Sequence, residues 1–138
     1  MLSIVVPCYN EEAMIALFIE AVDRVIFQHP QKIEYIFVND GSKDGTLDLL
    51  KKYHQARPTE IHYLSFSRNF GKEAALYAGL QHAKGDFVTV MDADLQDPPE
   101  LLPEMLALIK TKKIDYVGTS REHSKGEQLI RSALSCVL

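Results

Sequence analysis

Residues 2–26 read LSIVVPCYNEEAMIALFIEAVDRVI. The segment opens with seven residues, 2–8, that are rich in Ile and Val, as is typical of a short buried strand. The apolar residues that follow recur at the i, i+3, i+4, i+7 spacing of one helix face, and they are Ile15, Phe18, Ile19, Val22, Val25 and Ile26. Asn10 precedes this run and is predicted to cap the helix, with Glu11 and Glu12 near its positive end. The stretch therefore predicts one strand followed by one helix.

The same alternation continues along the chain. Further buried strands are predicted at residues 33–38, 61–66, 87–91 and 114–118. Helices are predicted to begin near Asp44, at Lys72 and at Pro103, where the proline occupies the first helical position. Strands that are apolar throughout and alternate with helices predict an α/β fold: a mostly parallel sheet flanked by helices.

Composition excludes several classes of protein. Hydrophobic residues make up 46% of the 138 residues and charged residues 25%, which fits a single globular domain rather than a disordered chain. The net charge of −4, without a Lys/Arg cluster, argues against a nucleic-acid binder. The two cysteines do not form a disulfide framework and fit a reducing compartment. Apolar runs are too short to span a bilayer.

The last twelve residues, 127–138, carry apolar side chains at helical spacing and stop without a capping residue. They predict a terminal helix that is cut short. We therefore expect the sequence to be a truncated form of a longer protein.

Polar side chains gather where the predicted strands end. In open parallel sheets, ligands bind beyond the carboxyl ends of the strands. The residues at these ends are Tyr9, Asn10 and Glu11, then Asp40, Gly41 and Ser42, then Ser67, Arg68 and Asn69, then Asp92, Asp94 and Gln96. Their placement predicts a ligand site.

Asp92-Ala93-Asp94 follows the fourth predicted strand. If the strand continues through it, both carboxylates point to one side across a small residue. Two such oxygen ligands suit Mg²⁺ or Mn²⁺, which could bridge a diphosphate. The alternative is a polar strand end that caps the next helix, with Asp97 acting in the same way.

Three other positions offer contacts to a nucleotide. Asp40 could accept hydrogen bonds from a base or a ribose, or it could satisfy only its own Asx-turn. Arg68 and Lys72 lie just before a predicted helix N-terminus, a natural anion site, or they are solvated surface cations. Arg121, after the fifth predicted strand, could meet a second anionic group.

Four segments together resemble the family-2 glycosyltransferases with a GT-A fold. They are residues 4–12 (IVVPCYNEE), 38–46 (VNDGSKDGT), 67–75 (SRNFGKEAA) and 91–100 (MDADLQDPPE). The first two indicate the broad family. The last two resemble the polyprenyl-phosphate branch, which includes dolichyl-phosphate mannose synthases and bacterial bactoprenol glucosyltransferases.

The resemblance implies roles for individual residues. A Rossmann-like GT-A fold is expected, with residues 1–138 forming the nucleotide-sugar-binding part of a catalytic domain that is incomplete at its C-terminus. Asp92 and Asp94 are the implied catalytic residues, and with Gln96 they form the implied metal site. The implied donor-binding residues are Pro7, Tyr9, Glu11, Asp40, Arg68, Lys72, Asp92 and Arg121.

The resemblance also implies a reaction. The whole protein is expected to transfer a sugar, with inversion, from a nucleotide-diphosphate sugar to a polyprenyl phosphate, using Mg²⁺ or Mn²⁺. A UDP-sugar and an undecaprenyl-type acceptor are preferred, and a GDP-sugar stays open. The protein would work at the cytoplasmic face of a membrane, whereas the fragment itself would be soluble. The alternatives are a non-catalytic nucleotide-sugar-binding module and an aspartyl phosphotransferase or phosphatase, although those enzymes usually carry the D-x-D after the first strand.

Overall fold

The structure is a computed structural model that describes residues 1–112, 114–120 and 129–131. The chain divides into two compact units, Met1–Pro99 and Glu100–Leu138. In the described residues, no helix combines the length and apolar character needed to cross a membrane.

The first unit alternates strands and helices as predicted. The strands are β1 (Leu2–Cys8), β2 (Ile33–Asn39), β3 (Ile61–Ser65) and β4 (Phe87–Val90). The helices are α1 (Glu12–Gln28), α2 (Thr46–Ala56) and α3 (Lys72–His82). All strand pairs are parallel, and the strand order is β3-β2-β1-β4. The predicted α/β fold with a parallel sheet is confirmed.

The sheet is covered on both faces, which explains why its central strands are apolar throughout. Side chains alternate between the faces of a strand. On one face of β2, Tyr35 and Phe37 pack edge-on against Phe18 of α1, with ring centroids 6.5 and 6.2 Å away. On the other face, Ile36 and Val38 form a buried cluster with Val5 of β1 and Ala75 of α3.

Gly79 lets α3 approach the sheet closely. A Cβ atom at this position would collide with the Val5 side chain and crowd Val38. The absence of a side chain here therefore sets the distance between α3 and the two central strands. Because α3 begins at Lys72, this packing also helps to fix the start of the helix.

The second unit contains a helix and a small antiparallel sheet. A 3-10 turn at Pro99–Leu101 leads into α4 (Leu102–Lys112). Helix α4 begins one residue before Pro103, so the proline occupies the second helical position instead of the predicted first. It still lies in the first turn, where a proline removes no helical hydrogen bond. Strands β5 (Gly118–Ser120) and β6 (Leu129–Arg131) pair in antiparallel fashion.

Two predictions for this part of the chain were wrong. Residues 114–117 are not a strand, and β5 pairs with β6 rather than joining the parallel sheet. Residues 129–131 form a strand inside the segment predicted as the terminal helix. A short apolar run is compatible with the periodicity of either a helix or a strand, and here backbone pairing with β5 favours a strand. The rest of that segment lies outside the described residues.

Gly79→Val is expected to destabilise the protein by about 2 kcal/mol, because the new side chain overpacks the contact with Val5. Urea unfolding followed by circular dichroism measures the change. Leu80→Val is the matched control, since Leu80 is an exposed neighbour in the same helix and should cost about 0.5 kcal/mol or less. Equal midpoints for the two variants would contradict the close packing of α3.

Candidate functional site

A cavity of about 380 Å³ lies at the carboxyl ends of β1, β2 and β4. This is the edge where a parallel sheet is expected to bind its ligand. The cavity brings together most of the site residues predicted from sequence: Pro7, Tyr9, Glu11, Asp40, Lys72, Asp92 and Asp94.

The turn after β1 is shaped by Asn10, but not as a helix cap. Asn10 has a left-handed φ of 53°, and the residue that precedes α1 is Glu11. The Asn10 Oδ1 atom accepts a hydrogen bond from the Lys43 N–H at 2.8 Å, and its own N–H donates to Ser42 Oγ at 3.0 Å. The predicted cap is therefore wrong. Asparagine tolerates the left-handed region, and its side chain ties the β1–α1 loop to the β2–α2 loop.

The same two loops are joined a second time at the start of their helices. A Glu12 side-chain oxygen accepts from the Gly45 N–H at 3.0 Å, and the Glu11 N–H donates to Thr46 Oγ1 at 2.9 Å. The residue before each helix thus has its N–H group satisfied by the side chain of the first residue of the other helix. The positions of Tyr9 and Glu11 at the cavity are fixed by this arrangement.

Asp40 holds the segment that precedes α3. Its side chain is buried, and its two oxygens accept from the Phe70 N–H at 2.7 Å and the Gly71 N–H at 3.0 Å. A buried carboxylate needs such partners to offset its lost hydration. The partners lie 30 residues away rather than in the turn of Asp40 itself, so an Asx-turn does not account for this residue. Contact with a base stays a prediction.

Gly41 allows this segment to pack against the end of β2. Its φ is +68°, and a Cβ atom would collide with the backbone of Arg68 and Asn69. Both the conformation and the space therefore require glycine. Gly71 also has a positive φ, of 99°, but a Cβ atom there would have nothing within 4 Å.

Lys72 and Asp92 form an ion pair inside the cavity. The Lys72 Nζ atom lies 2.7 Å from Oδ1 and 2.9 Å from Oδ2 of Asp92. Lys72 is the first residue of α3, and both side chains are partly exposed. The predicted phosphate-binding cation thus contacts the predicted metal-binding carboxylate.

Asp92 and Asp94 do not belong to a strand. Strand β4 ends at Val90, and Ala93 and Asp94 form a turn. We expected the alternation of side chains along a strand to point both carboxylates to the same side, and this was wrong. Both residues nevertheless line the cavity. The Asp94 Oδ1 atom accepts from the Gln96 N–H at 3.0 Å, and this local bond shapes the turn.

Negative charge dominates the cavity. Burial raises the pKa of Glu11, and the nearby carboxylates of Asp94, Asp44 and Asp92 raise it further. Burial also raises the pKa of the Cys8 thiol, and Glu11 and Asp92 add to the effect. The thiol is therefore protonated and is a poor nucleophile. A bound cation would relieve the repulsion among these carboxylates.

Other predicted site residues lie elsewhere. Among the residues that the structure describes, Arg68 and Gln96 do not line this cavity. The Arg68 guanidinium instead stacks over the Phe70 ring, 4.4 Å from its centroid. Arg121 lies outside the described residues. Asn69 lines the cavity, as predicted from its place among the polar residues at the strand ends, and Gly71 lines it too, although no role was assigned to it. Their position between Arg68 and Lys72, after β3, was the available signal.

The model of the family described as "Glycosyl transferase family 2" matches residues 3–135. The chain belongs to glycosyl transferase family 2. This family membership confirms the resemblance seen in the four sequence segments, and it makes the protein a member of a glycosyltransferase family.

Relatives in family 2 carry names that specify a lipid acceptor. The bactoprenol glucosyl transferase of Shigella phage SfV is 46% identical over 105 residues, which cover 76% of this chain and 34% of the relative. The undecaprenyl-phosphate 4-deoxy-4-formamido-L-arabinose transferase of Aeromonas hydrophila is 35% identical over 133 residues, which cover 96% of this chain and 40% of the relative. The chain thus spans well under half the length of these relatives.

Solved structures of similar fold are GT-A glycosyltransferases. The mannosyltransferase PcManGT from Pyrobaculum calidifontis, in complex with GDP-Man and Mn²⁺, has a TM-score of 0.67 at 24% identity, covering 82% of this chain and 33% of that one. S. aureus TarS 1–349 in complex with UDP-GlcNAc has a TM-score of 0.63 at 26% identity, covering 84% and 32%. The predicted GT-A fold is confirmed.

The carboxylates of this family 2 member suit a divalent ion only in part. In the described residues, no group of three or more His, Cys, Asp or Glu side chains is arranged to hold a metal. Asp92 and Asp94 supply hard oxygen atoms of the kind that Mg²⁺ and Mn²⁺ prefer. Because these ions take about six ligands, the remaining oxygens would come from water and from a bound diphosphate. The two carboxylates therefore fit a divalent ion that binds together with a diphosphate.

Gly41→Ala is expected to destabilise the protein by about 3 kcal/mol, because it combines an unfavourable φ with a collision against the Arg68–Asn69 backbone. Gly71→Ala shares the unfavourable φ but has open space, so it should cost about 1 kcal/mol. Urea unfolding of both variants measures the difference. Equal losses would show that the contact between Gly41 and the segment before α3 contributes nothing.

Proposed function

We propose that this chain is the donor-binding part of a glycosyltransferase that transfers a sugar from a nucleotide-diphosphate sugar to a polyprenyl phosphate. The observation that carries the proposal is the grouping of Lys72, Asp92 and Asp94 with Asp40 in one cavity at the carboxyl edge of the sheet. The names of the bactoprenol and undecaprenyl-phosphate relatives support a lipid-phosphate acceptor.

The nucleoside is proposed to lie against the ends of β1 and β2. Pro7, Tyr9 and Glu11 line the cavity on the β1 side, and Asp40 lines it on the β2 side. Tyr9 is 43% exposed, so its ring is available to a flat partner such as a base. We infer a UDP-sugar as the preferred donor and a GDP-sugar as the alternative. The neighbouring structures contain donors of both kinds.

The diphosphate is proposed to lie near Asp92, Asp94 and Lys72. The two carboxylates would hold Mg²⁺ or Mn²⁺, with Gln96 assisting and with Arg68 and Arg121 as further partners of the phosphates. When bound, the ion neutralises charge on the leaving diphosphate. The Mn²⁺ complex of the mannosyltransferase supports metal use at this fold.

The reaction is proposed to be a single in-line displacement with inversion. An oxygen of the acceptor phosphate forms a bond to the anomeric carbon while the bond from that carbon to the donor diphosphate breaks. The bonding electron pair leaves with the nucleoside diphosphate. The acceptor phosphate is already ionised near neutral pH, so no side chain has to remove a proton. Asp92 and Asp94 therefore act by positioning and charge rather than as bases.

A polyprenyl acceptor also bears on location. Because such a lipid stays in the bilayer, we infer that the whole protein works at the cytoplasmic surface of a membrane. The chain spans 34% to 40% of the relatives that act on such acceptors by name, so acceptor binding is assigned to the whole protein.

A donor-binding module without turnover is the second candidate, and the short span of the chain favours it for this fragment. An aspartyl phosphotransferase is disfavoured. Enzymes of that class usually carry the D-x-D after the first strand, whereas here it follows β4.

Calorimetric titration with UDP, GDP, UDP-glucose and GDP-mannose, each with and without Mn²⁺, tests the donor site. We expect one nucleotide family to bind, and to bind at least about tenfold more tightly with Mn²⁺. Asp92→Asn and Asp94→Asn should each abolish the gain from Mn²⁺, because each removes a carboxylate ligand. Asp48→Asn, at an exposed position of α2, is the control with the same charge change.

Binding that is equal with and without Mn²⁺ would contradict the metal assignment. Binding that keeps its Mn²⁺ dependence in both site variants would show that the ion lies elsewhere. If no nucleotide binds, residues 1–138 do not complete a donor site by themselves.

A further inference from the structure

The ion pair between Lys72 and Asp92 engages the carboxylate that is proposed above as a metal ligand. The Lys72 Nζ atom contacts both carboxylate oxygens of Asp92, at 2.7 and 2.9 Å. A divalent ion coordinated by Asp92 needs at least one of these same oxygens. The ammonium group and the ion also repel each other at such distances. Lys72 in this position therefore competes with a metal ion.

Lys72 is not a loosely placed surface lysine. The residue before it, Gly71, donates its N–H to the buried carboxylate of Asp40 at 3.0 Å. Gly79, two turns later in α3, packs closely on Val5. The backbone from which the lysine extends is thus fixed at both points. Its side chain, in contrast, is 58% exposed and sits on a flexible four-carbon stem.

We propose that Lys72 is an exchangeable counter-ion: it neutralises Asp92 in the empty site, yields Asp92 to a divalent ion when metal and donor bind, and then contacts the donor diphosphate. This deepens the proposed function and rests on it. The exchange is feasible because the pair is partly exposed, and ion pairs of that kind are weak. The released ammonium remains at the same edge of the cavity, where phosphate oxygens would replace the carboxylate as its partners.

Two simpler roles for Lys72 predict different behaviour. If the ion pair only stabilises the fold, removing the lysine leaves nucleotide affinity unchanged. If the lysine only binds phosphate, removing it leaves the affinity for free metal unchanged. Exchange between the two partners predicts that both affinities change, and in opposite directions.

The experiment compares the protein with its Lys72→Met variant in two titrations. The first measures Mn²⁺ binding without nucleotide, from the electron paramagnetic resonance signal of the free ion. The variant should bind Mn²⁺ about fivefold more tightly, because the competing cation is gone. The second measures UDP binding at saturating Mn²⁺. Here the variant should bind about fivefold more weakly, because a phosphate partner is gone.

Two further variants serve as controls. Lys72→Arg keeps the positive charge, so its Mn²⁺ affinity should stay close to that of the unsubstituted protein. Lys51→Met removes one positive charge from an exposed position of α2 that does not line the cavity, and it should change neither affinity by more than about twofold.

Unchanged Mn²⁺ affinity in Lys72→Met would overturn the proposal, and so would unchanged affinity for UDP with Mn²⁺. An Asp92→Asn variant separates this failure from that of the proposed function. If Mn²⁺ binds the unsubstituted protein and Asp92→Asn alike, the metal assignment itself fails. If Asp92→Asn loses Mn²⁺ but Lys72→Met binds it with unchanged affinity, only the exchange is wrong.

Discussion

The buried carboxylate of Asp40 is the interaction on which the site depends. Its two hydrogen bonds to the Phe70 and Gly71 N–H groups join the end of β2 to the start of α3. A charge in this position is costly unless it is fully paired, so the two N–H groups are confined to a narrow range of positions. Gly71 is followed directly by Lys72, which in turn contacts Asp92 after β4. One buried charge thereby links the ends of β2 and β4 through the start of α3.

The loops of the cavity are held by one another rather than by the ligand. Asn10 and Glu12 bond to the loop after β2, while Asp40 bonds to the segment before α3. Parallel strands bring such loops to one edge, although they are far apart in sequence. The result is a cavity whose backbone is preorganised, so that binding of the proposed donor would mainly have to order exposed side chains such as Lys72.

Local sequence patterns predicted the first unit because its strands are covered on both faces and its helices carry one apolar face. They failed where distant pairing decides the structure. The register of β4 on β1 ends with Val90 opposite Val5, which places Asp92 and Asp94 in a loop. Asn10 was predicted to cap α1 from its local position, but its side chain instead accepts a hydrogen bond from Lys43, 33 residues away. Strand β5 depends on pairing with β6, which no local pattern in 114–118 reveals.

The charge balance of the cavity explains why a donor diphosphate would need an added cation. The charged side chains that line it are Glu11, Asp40, Asp92, Asp94 and Lys72, four acidic and one basic. A diphosphate brings further negative charge, and one lysine cannot neutralise both ligand and protein. Burial raises the pKa of Glu11, and the nearby carboxylates of Asp94, Asp44 and Asp92 raise it further, because like charges oppose its ionisation. A divalent ion held by Asp92 and Asp94 would offset two of these negative charges and release Lys72 to the phosphates, so metal and donor should each strengthen the binding of the other.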